Sequence, residues 1–192
     1  HATNGGVMAS ANEAWAMSSL PYLVSQLDGS SQWREQFPLP IQSNSVAQAL
    51  LSKKEGAYGA NHYLFRWKRI FTAKKLRQAL IHFVPDMELP KSIKILDRGP
   101  SGRVLSLAIL GSDQTILHVL RLDNIRRTLP DLPSTLFVIN QLQEGVWEFS
   151  GGGFGHGAGL SQAGAIDLAQ RGWTLKQILM HYYPGTNYET LP

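Results

Sequence analysis

The spacing of apolar residues predicts a chain of short helices and strands. Helical spacing predicts a helix over residues 46–54 and a second one that Thr72 caps and Pro85 ends. A third short helix is predicted to begin at Asp123 as its cap and to end at Leu129. Apolar and polar residues alternate, as in strands, over residues 63–67, 92–97, 103–110, 115–120, 134–139 and 146–149.

The two ends of the chain differ in character. Residues 1–45 are rich in small, polar and proline residues, which predicts long irregular loops packed down by aromatic rings. The last part predicts a helix over residues 161–171 and a second helix that opens at Thr174 with a capping box. The apolar residues expected to be buried by this second helix are Leu175, Ile178, Leu179 and Tyr182. The pattern predicts an α+β fold with a mixed sheet or meander and several helices.

Composition narrows the classes of protein without selecting one. The chain has 192 residues, no cysteine, 43% hydrophobic residues and a formal net charge of +4. Such a length suits one sizeable core or two small lobes. The absence of cysteine excludes disulfides, thiol nucleophiles and cysteine-based zinc sites. No apolar run is long enough to predict a membrane span, and no clustered aromatic and basic motif predicts a nucleic-acid partner.

A glycine-rich segment over residues 151–162, here called the glycine loop, is the strongest candidate for chemistry. Its sequence is Gly-Gly-Gly-Phe-Gly-His-Gly-Ala-Gly-Leu-Ser-Gln, between a predicted strand and a predicted helix. A phosphate-binding loop is disfavoured because no Lys-Ser/Thr pair follows it and no βαβ unit surrounds it. Two interpretations remain: a tight structural crossing where only glycine fits, or a ligand groove with exposed backbone groups. In a groove, amides at the following helix start are expected to hold an anionic group.

Several segments resemble the SpoIID/LytB family, which comprises the stage II sporulation protein D type and the amidase enhancers. The resemblance covers nearly the whole chain and is most specific at its end, in Gly-His-Gly-Ala-Gly-Leu-Ser-Gln over residues 155–162 and Tyr-Tyr-Pro-Gly-Thr over residues 182–186. The His-Ala-Thr-Asn-Gly-Gly stretch of residues 1–6 is similar to the family's His-Ser-x-x-Gly-Gly segment. The resemblance implies one SpoIID/LytB-type domain over residues 1–192, with two lobes and a central groove.

The resemblance implies action on peptidoglycan in the cell envelope. SpoIID-type members are lytic transglycosylases, in which the muramic 6-hydroxyl attacks its own anomeric carbon and leaves a 1,6-anhydro end. One carboxyl group protonates the leaving oxygen and then acts as the base. The family's catalytic glutamate lies upstream of the segment at which this chain begins, so the chain is expected to lack the N-terminal portion of the domain. Without that glutamate, residues 1–192 are expected to bind glycan without cleaving it.

The resemblance also assigns candidate site residues. The expected contacts to the saccharide are Thr3, Asn4, Gly155, His156, Gly157, Ser161 and Gln162. Glu13 is the acid within the chain to test first, although the usual exposure of glutamate favours a helix-start or surface role. The side chains of residues 181–183 are expected to form a stacking edge or to pack in the core. Some relatives place zinc near the His-x-x-x-Gly-Gly segment with a cysteine. Because His1 and His156 would be an incomplete ligand set, neither a metal nor a cofactor is expected.

Two functions stay open. One is glycan binding with lytic transglycosylase activity in a full-length protein that carries the upstream glutamate. The other is a non-catalytic amidase enhancer, which binds the cell wall and stimulates an N-acetylmuramoyl-L-alanine amidase. The expected partners are therefore peptidoglycan glycan strands and, for the enhancer, a cell-wall amidase.

Overall fold

The computed structural model describes residues 1–86, 88–111 and 117–189 of the chain. In this part, the helices are α1 (Ala11–Trp15), α2 (Ser31–Gln36), α3 (Asn44–Leu51), α4 (Ala73–Leu80), α5 (Asp123–Thr128), α6 (Gln162–Gln170) and α7 (Leu175–Tyr182). The strands are β1 (Val7–Met8), β2 (Gln26–Leu27), β3 (Trp67–Thr72), β4 (Pro90–Arg98), β5 (Val104–Gly111), β6 (Leu117–Arg121), β7 (Phe137–Gln143) and β8 (Val146–Gly151).

The described strands form three small antiparallel sheets, with strand orders β1-β2, β3-β8-β7 and β4-β5-β6. The α+β fold class is therefore confirmed, and β4-β5-β6 is the predicted meander. Antiparallel neighbours need only short connections, which explains why the sequence lacks regular βαβ alternation. None of the described helices has the length and apolar composition needed to cross a membrane.

Two large apolar clusters and a smaller third one form the described core. The first joins the β3-β8-β7 and β4-β5-β6 sheets to α4 and α5, with Trp147, Phe149 and Phe137 at its centre. The second packs α2 and α3 against the chain's first strand around Trp33 and Phe37, whose ring centroids lie 4.7 Å apart. The third packs α6 and α7 against Met8 and places the last two helices beside the N-terminal strand, next to the glycine loop.

Two of the three predicted helix caps are confirmed. Thr72 accepts a hydrogen bond from the amide of Lys75 at the start of α4, and Thr174 forms the expected capping box with Gln177. Asp123 is not the cap of α5, because Leu122 occupies that position and Asp123 is the first helical residue. Leu175 was predicted to be buried but is exposed in the first turn of α7, although it lies on the same side of the helix as the buried Ile178 and Tyr182.

Several element boundaries were wrong. The strand predicted over residues 63–67 begins only at Trp67, since the preceding residues form turns. The strand predicted from residue 134 begins at Phe137. Residues 1–45 contain α1, α2, β1 and β2 rather than loops alone. The turn predicted over residues 111–113 and the start of the strand predicted at residue 115 lie largely outside the described residues.

Candidate functional site

The glycine loop is joined to residues 1–9, here called the N-terminal segment. Phe154 donates its amide to the carbonyl of Thr3 at 2.7 Å, and the amide of Ala2 donates back to the carbonyl of Phe154 at 3.2 Å. Farther along, the amide of Ala9 donates to the carbonyl of Gly157 at 3.0 Å. The first and last parts of the sequence therefore form one surface.

The amides at the start of α6 are occupied by the protein itself. The amide of Gln162 donates to the carbonyl of His1 at 3.1 Å, and that of Ala163 donates to the carbonyl of Ala2 at 2.9 Å. Ser161 caps the helix by accepting the amide of Gly164 at 3.2 Å. The expectation that these amides hold an anionic ligand group is wrong, because they already donate to carbonyls of the N-terminal segment.

The predicted saccharide contacts divide into buried and accessible residues. Four are buried: Thr3, Asn4, Gly157 and Ser161. Asn4 donates to Asp28 Oδ2 at 2.6 Å and accepts the amide of Gly6 at 2.9 Å, so both ends of its side chain serve the fold. The accessible residues are Gly155, His156 and Gln162. A ligand on this surface meets the second group, and the first group supports the backbone beneath it.

His156 lies between two other rings on the accessible side of the loop. Its ring centroid is 4.7 Å from that of Trp15 and 5.2 Å from that of His1. Trp15 ends helix α1, where its side chain is 43% exposed. These three residues are here called the aromatic face. An exposed indole beside an imidazole offers an apolar surface with polar edges, the combination that ligand sites use to orient a partly polar molecule.

The two histidines do not bring further metal ligands with them. In the described residues, no group of three or more histidine, cysteine, aspartate or glutamate side chains is arranged to hold a metal ion. Both ring nitrogens of His1 are buried, with no hydrogen-bond partner among those residues. The Nδ1 atom of His156 accepts the amide of Ala158 at 3.2 Å, which turns that nitrogen toward the loop backbone.

Glu13 is a buried residue of α1 whose carboxylate is surrounded by hydroxyl and amide donors. Its Oε1 accepts the amide and hydroxyl of Ser101 at 2.8 and 2.6 Å. Its Oε2 accepts the amide and hydroxyl of Ser10 at 2.9 and 3.0 Å, and also the hydroxyl of Ser25. Only 4% of the residue is exposed. The carboxylate thus caps α1 and ties it to the β4–β5 connection, with neither oxygen directed to a ligand.

A buried hydrogen-bond network around Asp28 was not found from the sequence. Asp28 Oδ1 lies 2.8 Å from His181 Nε2, and Oδ2 accepts the Tyr182 hydroxyl at 3.1 Å. Burial and the neighbouring Asp28 carboxylate raise the pKa of Tyr182 well above its ordinary value. The residues that meet here are 153 and 154 positions apart, so no local spacing signals the contact. His181 and Tyr182 fasten α7 beneath the site, the core role that was one of their two expected roles.

Arg103 was also not identified from the sequence as part of the site, and its position explains why residue 157 of the loop is glycine. Its guanidinium is buried and donates to the carbonyl of Asn4 at 3.0 Å. A Cβ atom on Gly157 would lie 2.1 Å from Arg103 Nη2, and Gly157 has a φ of +84°. Burial lowers the pKa of Arg103 to about 10, so the group is cationic at neutral pH. This part of the loop is therefore the tight crossing that the structural interpretation described.

The comparisons with known proteins add a family without a function. A family described as "Domain of unknown function (DUF8618)" matches residues 9–159. This span includes Glu13, Trp15 and His156 but ends before Ser161 and Gln162. No curated protein matches the sequence.

Proposed function

The chain belongs to the DUF8618 family of domains of unknown function, and we propose from its candidate site that it binds the glycan strands of peptidoglycan. The observation that carries the proposal is the aromatic face beside the glycine loop. Pyranose rings have apolar C–H faces and polar edges, and Trp15 with His156 offers the matching surface. The resemblance to the SpoIID/LytB family is the reason for proposing peptidoglycan as the polymer and the cell envelope as the location.

The proposal separates binding from cleavage. A general acid must reach the glycosidic oxygen, and Glu13 is buried with each carboxyl oxygen already accepting a backbone amide. Residues 1–192 therefore bind glycan without cutting it. In a longer protein that carries the upstream glutamate, the same surface serves lytic transglycosylase cleavage with 1,6-anhydromuramic ends.

A second candidate function is that of an amidase enhancer, which holds the cell wall while a separate amidase acts. The observation that favours it is the same sequestered carboxylate of Glu13, because an enhancer needs a binding surface and no acid.

Binding is tested with peptide-stripped glycan strands and isothermal titration calorimetry. We expect Trp15→Ala to lower the affinity about tenfold, since an aromatic contact contributes roughly 0.5–1.5 kcal/mol beyond its buried area. Phe83→Ala is the matched control, because Phe83 is also an exposed aromatic residue but follows α4, away from the aromatic face in sequence. Equal affinities of wild type and Trp15→Ala would remove the aromatic face from the proposal.

Cleavage is tested by mass spectrometry of the same strands after incubation. We expect no anhydromuramic products from residues 1–192, and we expect stimulation of an added amidase if the enhancer function is correct. Anhydromuramic products that disappear in Glu13→Gln would contradict the assignment of Glu13 as a buried structural residue.

A further inference from the structure

A groove that the resemblance does not assign lies beside Gln162. It has a volume of about 400 Å³ and runs between α6 and the turns over residues 59–62. Ala2 of the N-terminal segment also lines it. Since His1 belongs to the aromatic face and Ala2 lines the groove, consecutive residues connect the two surfaces. A volume of this size is in the range of small-ligand sites.

The two walls of the groove are fixed to each other by Gly59. Its amide donates to Asp167 Oδ2 at 2.9 Å, which joins the turn to α6. A Cβ atom on Gly59 would lie 2.6 Å from the amide nitrogen of Gly164, so only glycine permits this approach. The groove is therefore a built feature of the fold rather than a gap between two independent loops.

Uncharged amides dominate the polar lining. Asn61, Gln162 and Gln170 all line the groove and are exposed, and none of their side-chain amides has a hydrogen-bond partner among the described residues. Each amide offers two N–H donors and an acceptor oxygen. Free amides on opposite walls match the hydroxyl and acetamido groups of an N-acetylated sugar, which are also both donors and acceptors.

The groove carries little net charge. Asp167 is its one acidic lining residue in the described chain, and Arg171 Nε donates to its Oδ1 at 2.8 Å. Among the residues that the structure describes, no lysine or arginine lines the groove, although the whole chain has a net charge of +4. A polyanion such as nucleic acid finds no cation here, whereas a neutral ligand has no charge to desolvate.

Apolar contacts are available at the groove and its rim. Ile166 lines the groove with 61% of its surface exposed. His62 lines the other wall and stacks on Tyr63 with centroids 4.7 Å apart, and Tyr63 is 78% exposed. His62 Nδ1 accepts the amide of Leu64, which leaves the neutral ring's proton on Nε2 as a further donor.

From these features we infer that the groove is a binding subsite for a neutral N-acetylated sugar, next to the aromatic face. The inference rests on the proposed function, since it assigns a second sugar of the same glycan strand to residues 59–63 and α6. Gln162 and Gln170 on α6 and Asn61 on the facing turn bind the sugar's polar edge. Ile166 and the His62–Tyr63 pair contact its C–H face.

Nuclear magnetic resonance distinguishes the two surfaces in one titration. The probes are tetramers of N-acetylglucosamine and, in a second arm, peptide-stripped glycan strands. The side-chain amide signals of Asn61, Gln162 and Gln170 report on the groove, and the indole N–H signal of Trp15 reports on the aromatic face. We expect both sets to shift with the same saturation curve. A response of the groove amides to the glycan strands alone, with none to the uncharged tetramer, would overturn the assignment of the groove to a neutral sugar.

The other outcomes overturn the subsite, the role of the aromatic face, or both. A shift of Trp15 with unmoved groove amides overturns the subsite and leaves the proposed function standing. A shift of the groove amides alone supports the subsite and removes the aromatic face from the proposed function. No shift in either set with either probe overturns both.

Affinity measurements provide a second readout. We expect Gln170→Ala and Tyr63→Ala each to weaken tetramer binding about fivefold, the effect of one lost neutral contact. Gln48→Ala is the matched control, because Gln48 is likewise an exposed glutamine on a helix, α3, but does not line the groove. Unchanged affinity in both groove variants, with wild-type binding intact, overturns the subsite.

Discussion

At the residue scale, each buried carboxylate near the site has several hydrogen-bond partners. Glu13 accepts hydrogen bonds from three serines, and Asp28 is bonded to Asn4, Tyr182 and His181. A buried charge without such donors would be strongly destabilising. These networks therefore connect distant parts of the chain and are expected to respond to substitution as structural units.

Glu13→Gln should lower the free energy of unfolding by roughly 2–3 kcal/mol. The reason is geometric: Oε1 accepts the amide of Ser101 and Oε2 that of Ser10, so an NH2 group at either position faces a backbone N–H. Urea denaturation measures the change. Glu35→Gln, at an exposed position of α2, is the control and should change stability by less than about 0.5 kcal/mol. Equal stability of wild type and Glu13→Gln would contradict this account.

Tyr182 should make the protein less stable at alkaline pH. Its pKa is raised in the folded state, so above the ordinary value near 10 the unfolded state loses this proton first. The free energy of unfolding is therefore expected to fall as pH rises above about 10, by up to about 1.4 kcal/mol per pH unit from this residue. Denaturation of wild type and Tyr182→Phe between pH 8 and pH 11 isolates the contribution, because the variant lacks it. Parallel curves for the two proteins would show that Tyr182 has no such role.

At the scale of elements, α6 depends on segments that are distant in sequence. Its first amides bond the carbonyls of His1 and Ala2, and Asp167 in its second turn accepts hydrogen bonds from Gly59 and Arg171. The helix is only nine residues long, and isolated helices of this length are marginal. Its position, and with it the groove, is set by these tertiary contacts.

Gly59→Ala should destabilise the protein more than Gly172→Ala. Both glycines have positive φ, +69° and +85°, so each alanine carries a backbone cost of roughly 1–2 kcal/mol. Only Gly59 has backbone atoms within 3 Å of the added Cβ, whereas nothing lies within 4 Å at Gly172. Thermal denaturation measures the loss of stability in each variant. The difference between the two losses is the cost of the contact between the added Cβ and the backbone of α6. Identical losses would indicate that the turn moves away from α6 without cost.

The glycine loop shows which features of the site could be predicted from the sequence and which could not. The high density of glycine identified the loop as an unusual segment, and Ser161 was correctly predicted at the start of a helix. The pattern did not reveal that Thr3, Asn4 and Ser161 are buried, because burial depends on the N-terminal segment pairing with residues more than 150 positions away. The caps of α4 and α7 were predictable since a cap bonds within three residues. Asp28 with His181, and Arg103 with Gly157, have no such local signal.

At the scale of the whole molecule, two arginines with largely desolvated guanidinium groups join elements that are distant in sequence. Arg66 donates to the carbonyls of Gly5, Phe65 and Leu50, so it joins the N-terminal segment to the end of α3. Arg98 joins β4 to Asn44 at the start of α3. Burial lowers the pKa of Arg66 to about 9 and that of Arg98 to about 10, and both remain charged at neutral pH. Arg98 also donates to the carbonyl of Phe137 in the first cluster, so unfolding of the second cluster, to which α3 belongs, would leave part of its guanidinium without partners.

The clusters should therefore unfold together. Fluorine-labelled tryptophans report on each one: Trp33 in the second cluster, Trp147 in the first and Trp173 beside the third. We expect all three signals to show one midpoint in urea, as in a two-state transition. Arg98→Met, which removes the hydrogen bonds to Asn44 and Phe137, should lower the midpoint, whereas Lys74→Met at an exposed position should not. Loss of the Trp173 signal at lower urea than the others would show that α6 and α7 open independently.

The pairing of the N-terminal segment with the glycine loop has a consequence for synthesis of the protein. During translation, Thr3 and Asn4 leave the ribosome well before Phe154, Ser161 and Tyr182, the last of which shares Asp28 with Asn4. The β4-β5-β6 meander and the β7-β8 pair consist of strands that are neighbours in sequence, so they form earlier than contacts between the N-terminal segment and the glycine loop. The candidate site consequently assembles after these pairs, and a chain that stops before α6 encodes both large cores but lacks the amides of Gln162 and Ala163, which bond the carbonyls of His1 and Ala2.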